Sequence, residues 1–315
     1  MLNRIIGQYK GAEPGPLVII FGAIHGNEPA GIHAIESVFR MLDVAADHDP
    51  LFTVSGKIIG LIGNLRALAT GQRFLEKDLN RIWTIENLRH ILEMDSESEQ
   101  GEYREMAELY EVIRMEIRDA QPEVLILLDL HTTSAEGGIF SIPSDDKASL
   151  RLAKELHAPV ILGLLGGIEG TLLDFAAGKH FNVGPYPAHT LGIAFEAGQH
   201  DDPLSVSRSI SAILSCLQTC GAIQPEEADN EHDRILKQHS AQFPKVTRLN
   251  HVHHIMPGDT FRMRPGYVNF QPVQIGEYLA DDVGGPILAP NKGLILMPLY
   301  QAKGSDGFFI VQEVK

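Results

Sequence analysis

The chain carries four short segments whose residue types could act together on a polar bond. Gly22-Ala23-Ile24-His25-Gly26-Asn27-Glu28 sets an imidazole and a carboxylate three positions apart, a spacing that lets both reach one metal ion. Val124-Leu125-Ile126-Leu127-Leu128-Asp129-Leu130-His131-Thr132-Thr133 places a second histidine just past an apolar run. If the two runs are neighbouring strands, His25, Glu28 and His131 make a three-ligand set with a fourth tetrahedral position left for water, the arrangement of a catalytic zinc. Taken singly each signal is weak: a His-x-x-Glu pair is common on solvated helices, and a lone histidine is often satisfied by a local hydrogen bond.

The third segment is Phe195-Glu196-Ala197-Gly198, a carboxylate after another apolar run. Water attacking an amide needs a base to take its proton and return it to the leaving amine, and a glutamate shielded by apolar neighbours suits both steps. By itself Glu196 reads equally well as a salt-bridge or capping group. The fourth is the cationic stretch from Arg66 to Arg81, with Arg73 and the tetrad Asp78-Leu79-Asn80-Arg81. A fixed guanidinium can stabilise a developing oxyanion or grip a substrate carboxylate.

These groups need a scaffold that gathers strand ends. The apolar runs Leu17 to Phe21, Lys57 to Ile62, Val124 to Leu130, Val160 to Leu164 and Gly192 to Phe195 have the length and branched content of buried strands. Helical periodicity lies between them, from Pro29 to Leu42 (Ile32, Ile35, Val38, Phe39 and Leu42 on one stripe) and near Glu102 to Arg118, Asp146 to His157, Thr171 to Gly178 and Leu204 to Gln218. The alternation predicts an α/β domain over residues 1–223 with a parallel or mixed central sheet. Residues 224–240 read as a linker or a solvated helix. After Pro244 the chain turns rich in Gly, Pro and short strand-like pieces, Phe270 to Ile275, Ile295 to Tyr300 and Phe308 to Val311, which predicts a smaller β-rich domain over 244–315.

Composition narrows the partners. The 315 residues hold 41 acidic and 26 basic side chains, a formal net charge of −15, which argues against a nucleic-acid backbone or an anionic membrane surface as the main partner. Met1 to Lys10 lacks the apolar core of a signal peptide and no apolar run reaches membrane-spanning length, so a cytoplasmic location is the default expectation. Two cysteines, Cys216 and Cys220, sit four apart in a predicted helix and read as packing residues. Homo-oligomerisation is left open.

Together, His25-Gly26-Asn27-Glu28, Arg73 with Asp78-Leu79-Asn80-Arg81, Asp129-Leu130-His131 and Glu196-Ala197-Gly198 resemble the succinylglutamate desuccinylase and aspartoacylase family, a relative of the zinc carboxypeptidases. The resemblance implies a carboxypeptidase-like mixed sheet flanked by helices, one zinc ion per chain bound by His25, Glu28 and His131, and Glu196 as the general base. It further implies Arg73 as the group that polarises the scissile carbonyl, Asn80 and Arg81 as the grip on a substrate carboxylate, and a β-rich C-terminal domain over the cleft. Tyr300 is the counterpart of a substrate-binding tyrosine of that domain, with Tyr267 competing for the role. One departure stands out: Lys179 to Ile193 contains no arginine where aspartoacylases carry one, which counts against N-acetylaspartate as the substrate. His251, His253 and His254 form a further cluster that strand alternation would split between two faces.

The expected activity is therefore zinc-dependent hydrolysis of the amide bond of a small N-acyl amino acid. A carboxypeptidase acting on short peptides would use the same groups and differ in the reach of its cleft. A non-catalytic, zinc-stabilised binding protein would have no need to keep Glu196 and Arg73.

Overall fold

The structure is a computed structural model that describes residues 3–93, 101–181, 189–224 and 231–314. The strands are β1 (Ile5–Lys10), β2 (Glu13–Gly22), β3 (Ser55–Ile62), β4 (Val124–Thr133), β5 (Ile139–Pro143), β6 (Val160–Leu162), β7 (His189–Gln199), β8 (Val246–His254), β9 (Arg262–Met263), β10 (Pro272–Val273), β11 (Tyr278–Asp282), β12 (Gly285–Leu288), β13 (Gly293–Leu296) and β14 (Asp306–Glu313). The helices are α1 (Ala30–His48), α2 (Leu65–Thr70), α3 (Ile85–Glu93), α4 (Gly101–Ala120), α5 (Lys147–Glu155), α6 (Leu172–Ala177), α7 (Ser205–Thr219) and α8 (Glu231–Ser240).

Eleven strands form one mixed sheet in the order β1-β3-β2-β4-β7-β5-β6-β8-β14-β13-β10. Its centre, β3-β2-β4-β7, is parallel. The alternating side chains of β2 explain why two layers of helices are needed. Leu17, Ile19 and Phe21 enter a core shared with α3, α4 and α6, whereas Val18 and Ile20 enter one shared with α1, α5 and α7. All five are essentially sealed from water, each contributing about 1.5–3 kcal/mol of burial.

The chain runs from β2 outward to β3 and then returns to place β4 on the other side of β2. The strand order thus reverses at β2/β4, and crevices in open α/β sheets form beyond the C-terminal ends of strands at such a point. Those ends carry His25, Glu28 and His131. Helix α1 starts close against them: a Cβ on Gly31 would lie 2.9 Å from Leu130 Cβ, so the absence of a side chain lets the helix approach the end of β4.

Each predicted strand and helix overlaps an observed element, several with shorter observed bounds, and two differences matter. The first is β5, which pairs antiparallel with β7 and carries too short an apolar run to stand out from its surroundings. The second concerns the C-terminal segment, where β8 pairs parallel with β6 and the central sheet continues through β8, β14, β13 and β10. Phe270, Leu296, Phe309 and Val311 accordingly join the main core, while Met263, Val273, Leu279, Ile295, Phe308 and Ile310 form a smaller cluster of their own. The change of composition near Pro244 is real, but the sheet crosses it. The polar stretch after residue 224 contains α8, which packs on α7 through residues including the buried Leu236. Cys216 is buried and Cys220 partly so, and both are free. Among the described residues no helix is long and apolar enough to cross a membrane.

Candidate active site

Ligand atoms of His25, Glu28 and His131 lie within 4.8 Å of one another, and all three side chains are buried. Glu28 sits between the histidines: Oε1 is 3.0 Å from His25 Nδ1 and Oε2 is 3.0 Å from His131 Nδ1. Each outer ring nitrogen meets another carboxylate, His25 Nε2 with Asp78 Oδ1 at 3.1 Å and His131 Nε2 with Asp129 Oδ2 at 2.8 Å. A carboxylate on Nε2 holds a proton there and makes Nδ1, on the Glu28 side, the nitrogen available to a metal, which is how metal-ligating histidines are oriented. Two imidazole nitrogens and one carboxylate facing one point fit a divalent metal ion, and zinc is within the range of such a donor set.

The electrostatics follow from burial without that cation. Burial raises the Glu28 carboxyl, but His25 and His131 outweigh it and hold Glu28 well below the usual carboxylate range. Burial likewise lowers His131, yet the Asp129 and Glu28 carboxylates beside it push the ring well above an ordinary histidine. Asp78 is held low by His25 and Arg73 against its own desolvation. A cation binding at Nδ1 of His131 must therefore displace a proton, so affinity should fall as the solution is acidified. Asp129→Asn leaves the shape of that side chain but removes the charge behind His131. It is expected to weaken metal affinity by about 10–100-fold, measured by competition with a chromophoric chelator.

Glu196 stands opposite. The parallel pairing of β4 with β7 sets His131 and Glu196 side by side, and Glu196 is 8% exposed with Oε2 lacking a hydrogen-bond partner among the described residues. Desolvation dominates, His131 and Arg73 oppose it, Glu28 and Asp129 add to it, and the carboxyl is pushed up to about 8. A carboxyl raised from the ordinary 4.5 favours the fold below 4.5, and that contribution is lost as pH rises through about 8. Metal-free wild-type protein should therefore lose roughly 2–5 kcal/mol relative to Glu196→Gln between pH 5 and 8.5, at ~1.4 kcal/mol per pKa unit. Urea unfolding of both proteins at the two pH values checks this.

Arg73 reaches the same point, donating from Nη1 to Glu28 Oε1 at 3.3 Å and from Nη2 to Asp78 Oδ2 at 3.1 Å. Its loop is held from behind. Gly26 N–H donates to Arg73 O at 3.1 Å, and a Cβ on Gly26 would lie 2.2 Å from the carbonyl carbon of Ala67. Glu102 on α4 accepts from the backbone N–H groups of Leu75, Glu76 and Lys77. Burial works against its charge, but those N–H donors hold its carboxyl below the usual range.

Asn80 and Arg81 also line the cleft. Asn80 Oδ1 accepts from Leu172 N at 3.0 Å, which leaves the amide Nδ2 as the end able to meet a ligand. Arg81 Nη2 donates to Asp306 Oδ2 at 2.5 Å. The β-rich segment contributes Met297, Leu299, Gln301, Ser305, Asp306 and Phe309 to the wall of a cavity of about 110 Å³. It is tied to the rim by Asn27 to Gln301, Arg81 to Asp306, and Lys303 to Phe74 O.

Tyr300 is not brought to the cleft. Its hydroxyl donates to Arg264 O at 2.9 Å and accepts from Tyr267 N, and its side chain is 40% exposed. Its neighbour Gln301 lines the cleft, and the Tyr300 backbone N–H donates to the cleft residue Ser134 at 3.1 Å while the phenol turns to Arg264 and Tyr267. Tyr267 is no substitute, since its hydroxyl bonds Glu277 and Tyr278 O. His251 and His253 lie against Phe308, and His254 bonds Asp306, so the three histidines make no common ligand set. Sequence reading gave no role to Asp78, Asp129, Glu102 or Asp306. Asp78 and Asp129 stood inside the quoted motifs, and an acidic residue just before a ligand histidine was an available signal. Glu102 and Asp306 carry none.

A model of the succinylglutamate desuccinylase/aspartoacylase catalytic domain matches residues 14–183, a span that includes every one of these residues up to His131 and ends before Glu196. A succinylglutamate desuccinylase of Pseudomonas paraeruginosa is 25% identical over 87% of this chain and 79% of its own length. A probable aspartoacylase of Parasynechococcus marenigrum is 24% identical over 73% of this chain and 71% of its own. The crystal structure of a succinylglutamate desuccinylase from Vibrio parahaemolyticus superposes with a TM-score of 0.62 over 96% of this chain and 83% of that one, at 20% identity, and shares the carboxypeptidase-like fold. With its catalytic-domain match spanning more than half of its length, the chain belongs to the succinylglutamate desuccinylase/aspartoacylase family.

Proposed function

We propose that the protein is a zinc-dependent amidohydrolase that cleaves a small N-acyl amino acid into a carboxylate and a free amino acid. The observation that carries this reading is the facing arrangement of two groups: Glu28 bridging His25 and His131, and Glu196 beside His131 on the next strand. Zinc held by His25, Glu28 and His131 would supply Lewis acidity at the scissile carbonyl and acidify water at the site.

The remaining steps belong to the chain's own side chains. Glu196 accepts the proton of the attacking water at its unpartnered Oε2 and later delivers it to the departing amine nitrogen, so that one carboxylate serves as base and then acid. Its buried setting on the face of β7 that also carries Ala194, paired with the fully buried Phe140 of β5, keeps its proton affinity high enough for the second step. Arg73, held in place by Asp78 and Glu28, presents a fixed charge to the oxygen that becomes anionic. Asn80 Nδ2 and the Arg81 guanidinium lie on the wall where a substrate carboxylate can be gripped. No serine or cysteine nucleophile is needed.

The β-rich segment, bonded to the rim at several points, narrows the cleft and so favours a small acylated amino acid over a peptide. Zinc-loaded protein assayed against N-acetyl, N-succinyl and N-formyl amino acids and short peptides tests the reading. Release of free amino acid from an acylated substrate supports it, release of a C-terminal residue from peptides points to a carboxypeptidase, and zinc binding without turnover of anything points to a binding protein.

A further inference from the structure

The cations that line the cleft among the described residues, Arg73 and Arg81, are both already paired within the chain. Arg73 lies between Asp78 and Glu28. Arg81 donates from Nη2 to Asp306, from Nε to Ser305 Oγ and from Nη1 to Asn80 O. Asp306 is 9% exposed and accepts on its other oxygen from His254 Nδ1 at 2.8 Å.

Besides Glu196, the four carboxylates of Glu28, Asp78, Asp129 and Asp306 at and behind the cleft stand against the two guanidiniums of Arg73 and Arg81. Even a divalent cation leaves no surplus positive charge for a substrate carrying two carboxylates. The rest of the wall carries no charged side chain: Ile142, Leu164, Leu165, Ile168 and Phe309 are apolar, and Thr132, Thr133, Ser134, Thr171 and Gln301 are neutral. A second carboxylate placed against the apolar group would be desolvated without a charged partner, whereas a hydrocarbon group would be at home.

We infer that the cleft selects an N-acyl amino acid bearing a single carboxylate and an otherwise apolar body, with Asp306 as the residue that excludes a second carboxylate. This rests on the amidohydrolase reading. Asp306 does so by neutralising Arg81 and by standing as a fixed negative charge on the wall. The single substrate carboxylate uses Asn80 Nδ2 and the N–H groups of Arg81 that Asp306, Ser305 and Asn80 O leave over.

The test compares N-acetyl-L-leucine and N-acetyl-L-methionine with N-acetyl-L-aspartate and N-succinyl-L-glutamate on zinc-loaded wild-type protein and Asp306→Asn, by kcat/KM. The same compounds are titrated by calorimetry into zinc-loaded Glu196→Gln. Wild type should favour the apolar substrates by about 10²-fold or more, the scale on which a site rejects a charge it leaves unpaired. Asp306→Asn should narrow that ratio at least about tenfold by raising the dicarboxylic rates, as loss of a like charge requires. A wild-type preference for the dicarboxylic substrates, or a folded Asp306→Asn protein with an unchanged ratio, would overturn the inference. Should the variant not fold, the wild-type preference decides. If nothing is turned over, the hydrolase reading fails while the calorimetric order still decides the selectivity.

Discussion

Glu196→Gln is expected to lower kcat for amide hydrolysis by about 10²–10⁴-fold, the range over which a positioned general base acts, while metal content stays at the wild-type level. The two side chains have the same shape. Glu196 makes no hydrogen bond on Oε2 that the amide would break. What is lost is a group that can take a proton and give it back, and nothing else within the cleft replaces it: Glu28 and Asp129 are spent on the histidines, and Asp78 on His25 and Arg73. A selective fall in kcat with KM little changed is the signature, read from steady-state kinetics alongside metal analysis. A variant with full activity would contradict the assigned role.

The second large effect is expected at His131. Its ring lies between Glu28 and Asp129, both buried, whose charges favour the protonated ring in the absence of a metal. His131→Ala removes one metal ligand and leaves two buried carboxylates facing an empty space. It should abolish stoichiometric zinc binding, remove activity, and destabilise the metal-free protein by about 3–5 kcal/mol, the cost of breaking a buried ion pair from one side. Zinc itself should raise wild-type stability by about 4 kcal/mol at a thousandfold excess over its Kd, and His131→Ala should lose that increment. Chemical unfolding of both proteins with and without zinc measures each part.

Much of the candidate site was legible because its residues lie at the ends of strands. Leu17 to Phe21, Val124 to Leu130 and Gly192 to Phe195 are apolar enough to identify themselves as buried strands. His131 and Glu196 directly follow their runs on β4 and β7, and His25 and Glu28 lie in the turn between β2 and α1.

The groups that eluded sequence reading act across long separations. Glu102 on α4 meets the backbone of residues 75–77, and Asp306 on β14 meets Arg81 across 225 positions. No local pattern marks either, since an acidic residue on a helix or at the start of a strand is ordinarily solvated. Tyr300 lies beyond the end of β13 at Leu296, past the strand that Ile295 to Tyr300 suggests, and its hydroxyl turns to Arg264 O and Tyr267 O. The domain boundary near Pro244 was drawn from composition, which registers Gly and Pro density but not which strand pairs with which. The β6–β8 pairing that carries the sheet across it is a tertiary choice.

The most direct measurement is amino-acid release from N-acylated amino acids by a single preparation before chelation, after chelation and after return of zinc. The site formed by His25, Glu28, His131 and Glu196 predicts hydrolysis that disappears with the metal and returns at one zinc per chain. Hydrolysis undiminished after complete removal of metal would contradict it.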